Sequence, residues 1–229
     1  MRCAVAIFAK TIGLSPVKTR LAADIGTRHA EAFFELSTLC VEATANEAGE
    51  AFPETLFPVW AVAEEGGPNH WEKRSFPAIW TGEGNLGARL ANVSEHLFEL
   101  YDAVIFIGTD SPQLDARRLV DAVSRLAAGA SNAIAGPAAD GGFYLFTSRF
   151  PVPREIWEAV TYSSDKTLED LSYRLKALDW KLDLLPEEQD VDTVADLAKL
   201  HVNLKERSDK LSAEQTKLLH WLEENAKLF

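Results

Sequence analysis

The chain has 229 residues, of which 23 are lysine or arginine and 35 are aspartate or glutamate, so its formal net charge is −12. This length suggests one domain or at most two, and a hydrophobic fraction of 47% is too high for a disordered chain. The negative charge argues against nucleic acid and anionic membranes as partners, because both attract mainly Lys and Arg. The two cysteines exclude a disulfide framework and fit a reducing, cytoplasmic location.

Short apolar runs alternate with helical patterns along the chain. The runs predicted as strands cover residues 3–9, 56–62, 78–80, 103–107, 133–135, 143–147 and 180–184. Predicted helices cover residues 28–47, 86–100, 115–128, 167–178, 193–204 and 213–228, and a further helix starts near residue 17. This alternation predicts an α/β fold with a mostly parallel sheet and helices on both faces. Ligands then bind beyond the carboxyl ends of the strands.

The end of the chain differs from the rest. Residues 1–204 are predicted to form the main domain, and residues 205–229 a helical C-terminal extension. Leucines alternate with polar residues in this extension. They indicate either a helix that covers the domain or a dimer contact, and we favour the first, so a monomer and a homodimer both stay open.

The first 30 residues are basic, although the chain is acidic. They contain five basic residues and one acidic residue, a local charge of +4. Lys18 and Arg20 follow the first predicted strand at the start of a helix, where free N–H groups and the helix dipole favour anions. We interpret them as phosphate-binding residues, since Lys and Arg add charge-assisted hydrogen bonds. The alternative is an ordinary basic first turn.

A glycine-rich segment precedes the predicted helix of residues 86–100. Residues 82–87 match the pattern G-x-G-x-x-G, with Gly84 and Gly87 as its second and third glycines. A dinucleotide site needs this pattern after the first strand, so its position argues against one. We favour a loop whose backbone approaches some other ligand, and a plain turn is the alternative.

Three aspartates lie at turns next to predicted strands. Asp110 follows the clearest buried strand, where a carboxylate could bind Mg²⁺ or Mn²⁺ together with substrate phosphates. Asp140 is followed by Gly141 and Gly142, which could let backbone lie against a substrate. Asp192 lies at the start of a helix, which either Thr193 or Asp192 could simply cap. Structural turns are the alternative for the other two as well.

Taken in order, these segments resemble the motifs of one family. The chain is similar to the bacterial glycosyltransferase-like family, often described as the arsenosugar-biosynthesis type, of the nucleotide-diphospho-sugar transferase superfamily. The matching segments are FAK (8–10), VKTRL (17–21), NLGAR (85–89), GTDSP (108–112), GPAADGGFY (136–144) and DVDTVADL (190–197). The resemblance implies the GT-A fold, a three-layer α/β/α sandwich in a single domain.

The resemblance also implies roles for individual residues. The metal, Mg²⁺ or Mn²⁺, would be held by Asp110 and Asp192. Asp140 would face the sugar or the acceptor beside Gly141 and Gly142, and it would act in catalysis together with Lys18. The nucleotide would be bound by Phe8, Lys10, Lys18, Arg20, Gly84, Gly87 and Arg89.

Three functions follow from this resemblance. The first is a metal-dependent glycosyltransferase that uses a nucleotide-diphospho-sugar and a small-molecule acceptor. The second is a nucleotidyltransferase that joins an NTP to a small phosphorylated acceptor. The third is a non-catalytic nucleotide-binding domain, suggested because residues 11–16 read TIGLSP where the family has two prolines and a glycine.

Overall fold

The computed structural model describes residues 1–229. Its seven strands are β1 (Cys3–Ala9), β2 (Leu56–Val62), β3 (Ala78–Trp80), β4 (Ala103–Gly108), β5 (Ala133–Pro137), β6 (Phe143–Ser148) and β7 (Leu182–Leu184). The α-helices are α1 (Thr19–Ile25), α2 (Thr27–Ala51), α3 (Gly67–His70), α4 (Leu86–Phe98), α5 (Ala116–Ala128), α6 (Arg154–Ala159), α7 (Thr167–Lys176), α8 (Val194–Glu206) and α9 (Ala213–Glu224). No helix combines the length and the apolar character that crossing a membrane requires.

All seven strands form one sheet in the order β3-β2-β1-β4-β6-β5-β7. Strand β1 pairs in parallel with β2 on one side and with β4 on the other. Only β6 runs antiparallel to its neighbours, β4 and β5. The predicted mostly parallel sheet is therefore confirmed.

Successive side chains of a strand point to opposite faces of the sheet. Because both sets are apolar here, helices cover both faces. Val5 and Ile7 of β1 belong to a core that includes Val41 of α2 and Leu119 of α5. On the other face, Ala4 and Ala6 belong to a core with residues of α4, α6 and α7. These three layers form the predicted α/β/α sandwich.

The C-terminal helices pack against α1 and α2. Leu218 and Leu222 of α9 share a buried cluster with Phe33 of α2 and Leu204 of α8. The Gln215 side chain donates a hydrogen bond of 3.0 Å to the carbonyl oxygen of Pro112. Helix α8 runs through the predicted boundary at residue 204. The division of the chain into 1–204 and 205–229 stays a prediction.

Two short helices were not predicted. The break expected at residues 66–68 is the start of α3, where Pro68 lies in the first turn and its missing N–H is harmless. Helix α6 has only six residues, too few to show a helical period.

Candidate functional site

A cavity of about 600 Å³ opens at the carboxyl ends of four parallel strands. Lys10, Ala63, Thr81 and Thr109 each directly follow one of β1 to β4 and line it. In the sheet, β2 and β3 lie on one side of β1, and β4 lies on its other side. The strand order therefore reverses at β1, and the cavity lies at this point. Open α/β sheets bind ligands at such positions. We call it the first cavity.

Lys18 is held in place in the first cavity by its backbone and by its side-chain contacts. It adopts the left-handed backbone conformation, with φ 45° and ψ 47°, immediately before α1. Its ammonium group lies 2.5 Å from Asp110 and 3.1 Å from Asp192, and it donates a 2.6 Å hydrogen bond to the carbonyl oxygen of Val191. Burial opposes the charge, but the two carboxylates outweigh it and raise the pKa of Lys18. Lys18 is therefore a fixed positive charge.

The other basic residues of this cavity are less engaged. Arg20 is 71% exposed, and its guanidinium lies 3.8 Å from a carboxylate oxygen of Asp192. Lys10 is exposed and donates to the carbonyl oxygen of Pro16 at 3.3 Å. Phe8, near the end of β1, also lines the cavity and is half-buried. Lys10 and Arg20 therefore keep donors free for an anion.

The glycine-rich loop is tied down mainly by Arg89. This guanidinium donates to the carbonyl oxygen of Gly84 at 3.0 Å, to Thr81 Oγ1 at 2.7 Å and to the carbonyl oxygen of Ala63. Arg89 lines the first cavity, whereas Gly84 and Gly87 do not. A Cβ at Gly87 would lie 2.3 Å from the carbonyl oxygen of Trp157, so this glycine lets α4 approach α6. Nucleotide-binding roles for these three residues stay predictions.

Asp110 and Asp192, which the resemblance implied as metal ligands, both contact the Lys18 ammonium. No group of three or more His, Cys, Asp or Glu side chains is arranged to hold a metal ion. Mg²⁺ is commonly bound through one or two carboxylates together with substrate phosphates. These two half-exposed carboxylates fit a metal shared with phosphate and do not form an all-protein site.

A second cavity of about 320 Å³ adjoins the first and shares Phe8, Leu86, Asp110 and Asp192 with it. Asp140 and Gly142, predicted to contact substrate, line the second cavity. A carboxylate oxygen of Asp140 accepts a 2.9 Å hydrogen bond from the N–H of Gly142.

Asp190 also lines this cavity and was not among the predicted site residues. Its carboxylate accepts a 2.5 Å hydrogen bond from Ser111 Oγ. Burial raises the pKa of Asp190 to about 6, the Ser111 hydrogen bond opposes this, and the charge of Asp110 adds to it. The sequence feature that could have identified Asp190 is its position in the Asp-Val-Asp segment before α8, two residues from Asp192, which was predicted to bind the metal.

The raised pKa of Asp190 predicts a pH dependence of stability. Between about pH 4 and pH 6 the unfolded chain has lost this proton and the folded protein keeps it, so stability falls as pH rises. The loss in the free energy of unfolding across this window is about 2–3 kcal/mol. Urea denaturation in metal-free buffer at several pH values measures it. Asp190→Asn should remove this contribution while the exposed control Asp209→Asn retains it, and equal slopes would contradict the assignment.

No curated protein matches the chain. A candidate nucleotide-diphospho-sugar transferase from Desulfovibrio desulfuricans G20 has a TM-score of 0.83 and 23% identity, with 100% of this chain and 97% of that chain covered. A cytidylyltransferase from Leptospira borgpetersenii has a TM-score of 0.54 and 14% identity, with coverages of 100% and 96%. The manganese complex of Rv0371c from Mycobacterium tuberculosis H37Rv has a TM-score of 0.50 and 14% identity, with coverages of 87% and 97%.

These structural likenesses agree with the predicted fold class, a single-domain nucleotide-diphospho-sugar transferase-type sheet. Nothing in them identifies the arsenosugar type. In sequence, residues 41–164 match the family described as uncharacterized protein conserved in bacteria, DUF2064. This match covers more than half of the 229 residues. The chain therefore belongs to the DUF2064 family.

Proposed function

We propose that this protein transfers a sugar from a nucleotide-diphospho-sugar to a small-molecule acceptor. The observation that carries the proposal is the first cavity, where basic side chains converge beside Asp110 at the switch point of the sheet. The side chains are those of Lys10, Lys18, Arg20 and Arg89. The nucleotide-diphospho-sugar transferase-type fold of the Desulfovibrio protein supports the same function.

In this reaction the diphosphate of the donor lies in the first cavity. Lys10 and Arg20 donate charge-assisted hydrogen bonds to its oxygens, and the Lys18 ammonium adds a fixed positive charge. Together they stabilise the negative charge that develops on the departing nucleoside diphosphate. Asp110 and Asp192 would hold Mg²⁺ or Mn²⁺, which supplies Lewis-acid stabilisation of that diphosphate. The manganese complex of Rv0371c supports such a metal.

The acceptor lies in the second cavity, which joins the first at Asp110. Asp140 is exposed there and can accept the proton of an acceptor hydroxyl as a general base. The Gly142 N–H holds one oxygen of Asp140, so the carboxylate is oriented before substrate arrives.

A second candidate is nucleotidyl transfer, in which an acceptor phosphate attacks the α-phosphate of an NTP. The similarity in fold to the Leptospira cytidylyltransferase favours it. The same basic residues would then neutralise the triphosphate. A third possibility, nucleotide binding without catalysis, predicts binding and no turnover.

Nucleotide binding distinguishes these functions. We expect calorimetry with a panel of NTPs, UDP-sugars and GDP-sugars to find a ligand whose affinity rises when Mn²⁺ is added. Preference for a nucleotide-sugar supports glycosyl transfer, and preference for an NTP supports nucleotidyl transfer. Asp110→Ala should lower the Mn²⁺-dependent affinity by about tenfold or more, because a charge-assisted contact is worth about 1.5–3 kcal/mol. Asp209→Ala, an exposed carboxylate remote from the cavity, is the matched control. Absence of binding by every nucleotide would contradict all three functions.

A further inference from the structure

The two cavities have opposite charge. The second cavity is lined by four carboxylates and by no lysine, arginine or histidine. The carboxylates belong to Asp110, Asp140, Asp190 and Asp192. The basic residues of the site all line the first cavity. A substrate that spans both cavities therefore passes from a positive environment to a negative one.

Lys18 does not cancel this negative charge. Its side chain is only 2% exposed, and its ammonium faces Asp110 and Asp192. One positive charge between two carboxylates leaves that group negative. Asp140 and Asp190 add to it, and neither forms an ion pair with a basic side chain. When Asp110 and Asp192 hold a metal, Asp140 and Asp190 still line the second cavity, so an anionic group placed beside them would meet like charges, which are strongly unfavourable in close contact.

Apart from the carboxylates, the second cavity is lined by apolar side chains and by the hydroxyls of Ser111, Ser163, Ser164 and Thr167. Phe8, Phe106, Phe143 and Tyr162 line it, and the Phe8 and Phe106 rings lie with their centroids 6.1 Å apart. The Tyr162 hydroxyl donates to the carbonyl oxygen of Trp157 at 2.9 Å, so it already has a partner. Apolar walls with a few convergent polar groups are typical of small-molecule sites.

Carboxylates accept hydrogen bonds and cannot donate them when ionised. Their partners in a ligand are therefore hydroxyl, amino or ammonium groups. We infer that the reactant bound in the second cavity is neutral or cationic, carries hydroxyl or amino groups beside an apolar face, and has no phosphate or carboxylate. This inference rests on the proposed function, because it treats the second cavity as the site of the non-nucleotide reactant. It favours glycosyl transfer over nucleotidyl transfer to a phosphate.

The charge of each cavity can be measured with an engineered thiol. Ser163 is exposed and lines the second cavity, and Ser15 lines the first. In Ser163→Cys the thiolate attacks a methanethiosulfonate reagent, a mixed disulfide forms and methanesulfinate leaves. The native Cys3 and Cys40 are buried, so they should not compete. The ratio of rates for a cationic and an anionic reagent is independent of the thiol pKa, which is common to both.

The ratio of cationic to anionic rates is divided by the same ratio for free 2-mercaptoethanol, because the thiolate itself favours the cationic reagent. We expect this normalised ratio to be about ten in Ser163→Cys, since local fields change encounter rates by about 10-fold or more. In Ser15→Cys the normalised ratio should fall below one. Adding Asp140→Asn to Ser163→Cys should reduce the ratio. A normalised ratio of one or less at residue 163 overturns the inference.

The effect of ligand charge on binding in the second cavity is then tested with three ligands that share one sugar scaffold. Phenyl β-D-glucoside, its 6-amino-6-deoxy derivative and its 6-phosphate are compared by saturation-transfer NMR and calorimetry. We expect the neutral and amino forms to bind at least about tenfold more tightly than the phosphate, a difference of about 1.4 kcal/mol. Equal or tighter binding of the 6-phosphate overturns the inference, and so does absence of binding by the whole series.

Nucleotide binding in the first cavity is measured in parallel. If no nucleotide binds while the glucoside series keeps its order, the proposed function fails and the inference about the second cavity stands. If a nucleotide binds while the 6-phosphate is preferred, the inference alone fails.

Discussion

Lys18→Met is expected to weaken nucleotide binding by about 100-fold, because Asp110 and Asp192 lose the positive charge between them, and a diphosphate beside them then meets like charges, which cost several kcal/mol. Methionine keeps most of the length of the lysine side chain and removes only its charged donor. Lys205→Met, at an exposed position in α8, is the matched control and should bind nucleotide as the wild type does. Calorimetry on folded protein measures the effect, and an unchanged affinity would exclude Lys18 from the nucleotide site.

The same substitution has two further consequences. Asp110 and Asp192 lose their common counter-ion, which should lower the free energy of unfolding by about 1–3 kcal/mol. This is less than for a fully buried pair, since these side chains are 48% and 41% exposed. In the variant Mn²⁺ can take the place of the ammonium. Addition of Mn²⁺ without nucleotide should therefore raise the melting temperature of Lys18→Met more than that of the wild type. Equal shifts in both proteins would mean that the Lys18 ammonium does not weaken metal binding by the two carboxylates.

Gly141→Ala is expected to lower the free energy of unfolding by about 3–4 kcal/mol, combining backbone strain with a steric clash. Gly141 has φ +89°, and a Cβ there would lie 2.1 Å from the carbonyl oxygen of Asp165. Its own carbonyl oxygen accepts a 2.9 Å hydrogen bond from the N–H of Leu168, so the loop cannot move away freely. The substitution should also displace the neighbouring Asp140 and weaken binding in the second cavity.

Gly13→Ala separates the two causes of this loss. Gly13 has nearly the same φ, +87°, but no atom lies within 4 Å of its added Cβ. It should therefore show only the strain of the left-handed region, about 1–2 kcal/mol. Urea denaturation of both variants measures the difference. Equal losses would mean that the contact with Asp165 is not tight.

Most of the sheet could be predicted from the sequence. A strand buried on both faces must be apolar along its whole length, and residues 3–9 and 103–107 show this directly. Helix starts were also readable, because Asp115 and Thr193 cap α5 and α8 through their own side chains. The sequence also indicated a ligand site beyond the carboxyl ends of the strands, where Lys18 follows β1 and Asp110 follows β4. Lys18 and Asp110 are in fact in contact.

Contacts between distant segments were decided only by the tertiary structure. Lys18 and Asp192 are 174 residues apart in sequence and 3.1 Å apart in space. The local pattern around Asp192 is equally typical of a helix cap, and Thr193 is the residue that caps α8. Gly87 belongs to a sequence pattern for ligand binding, yet its missing side chain makes room for the backbone of Trp157.

Likewise, no sequence pattern indicated that β6 would pair antiparallel with β4. It brings the start of β6 to the carboxyl end of β4 and so creates the second cavity. The apolar periodicity of a sequence indicates which residues are buried, but it does not indicate which neighbouring segment buries them. The sequence therefore determined the secondary elements, the layered architecture and the residue types of the site. The tertiary structure alone decided which charges meet, and hence that a basic cavity adjoins an acidic one.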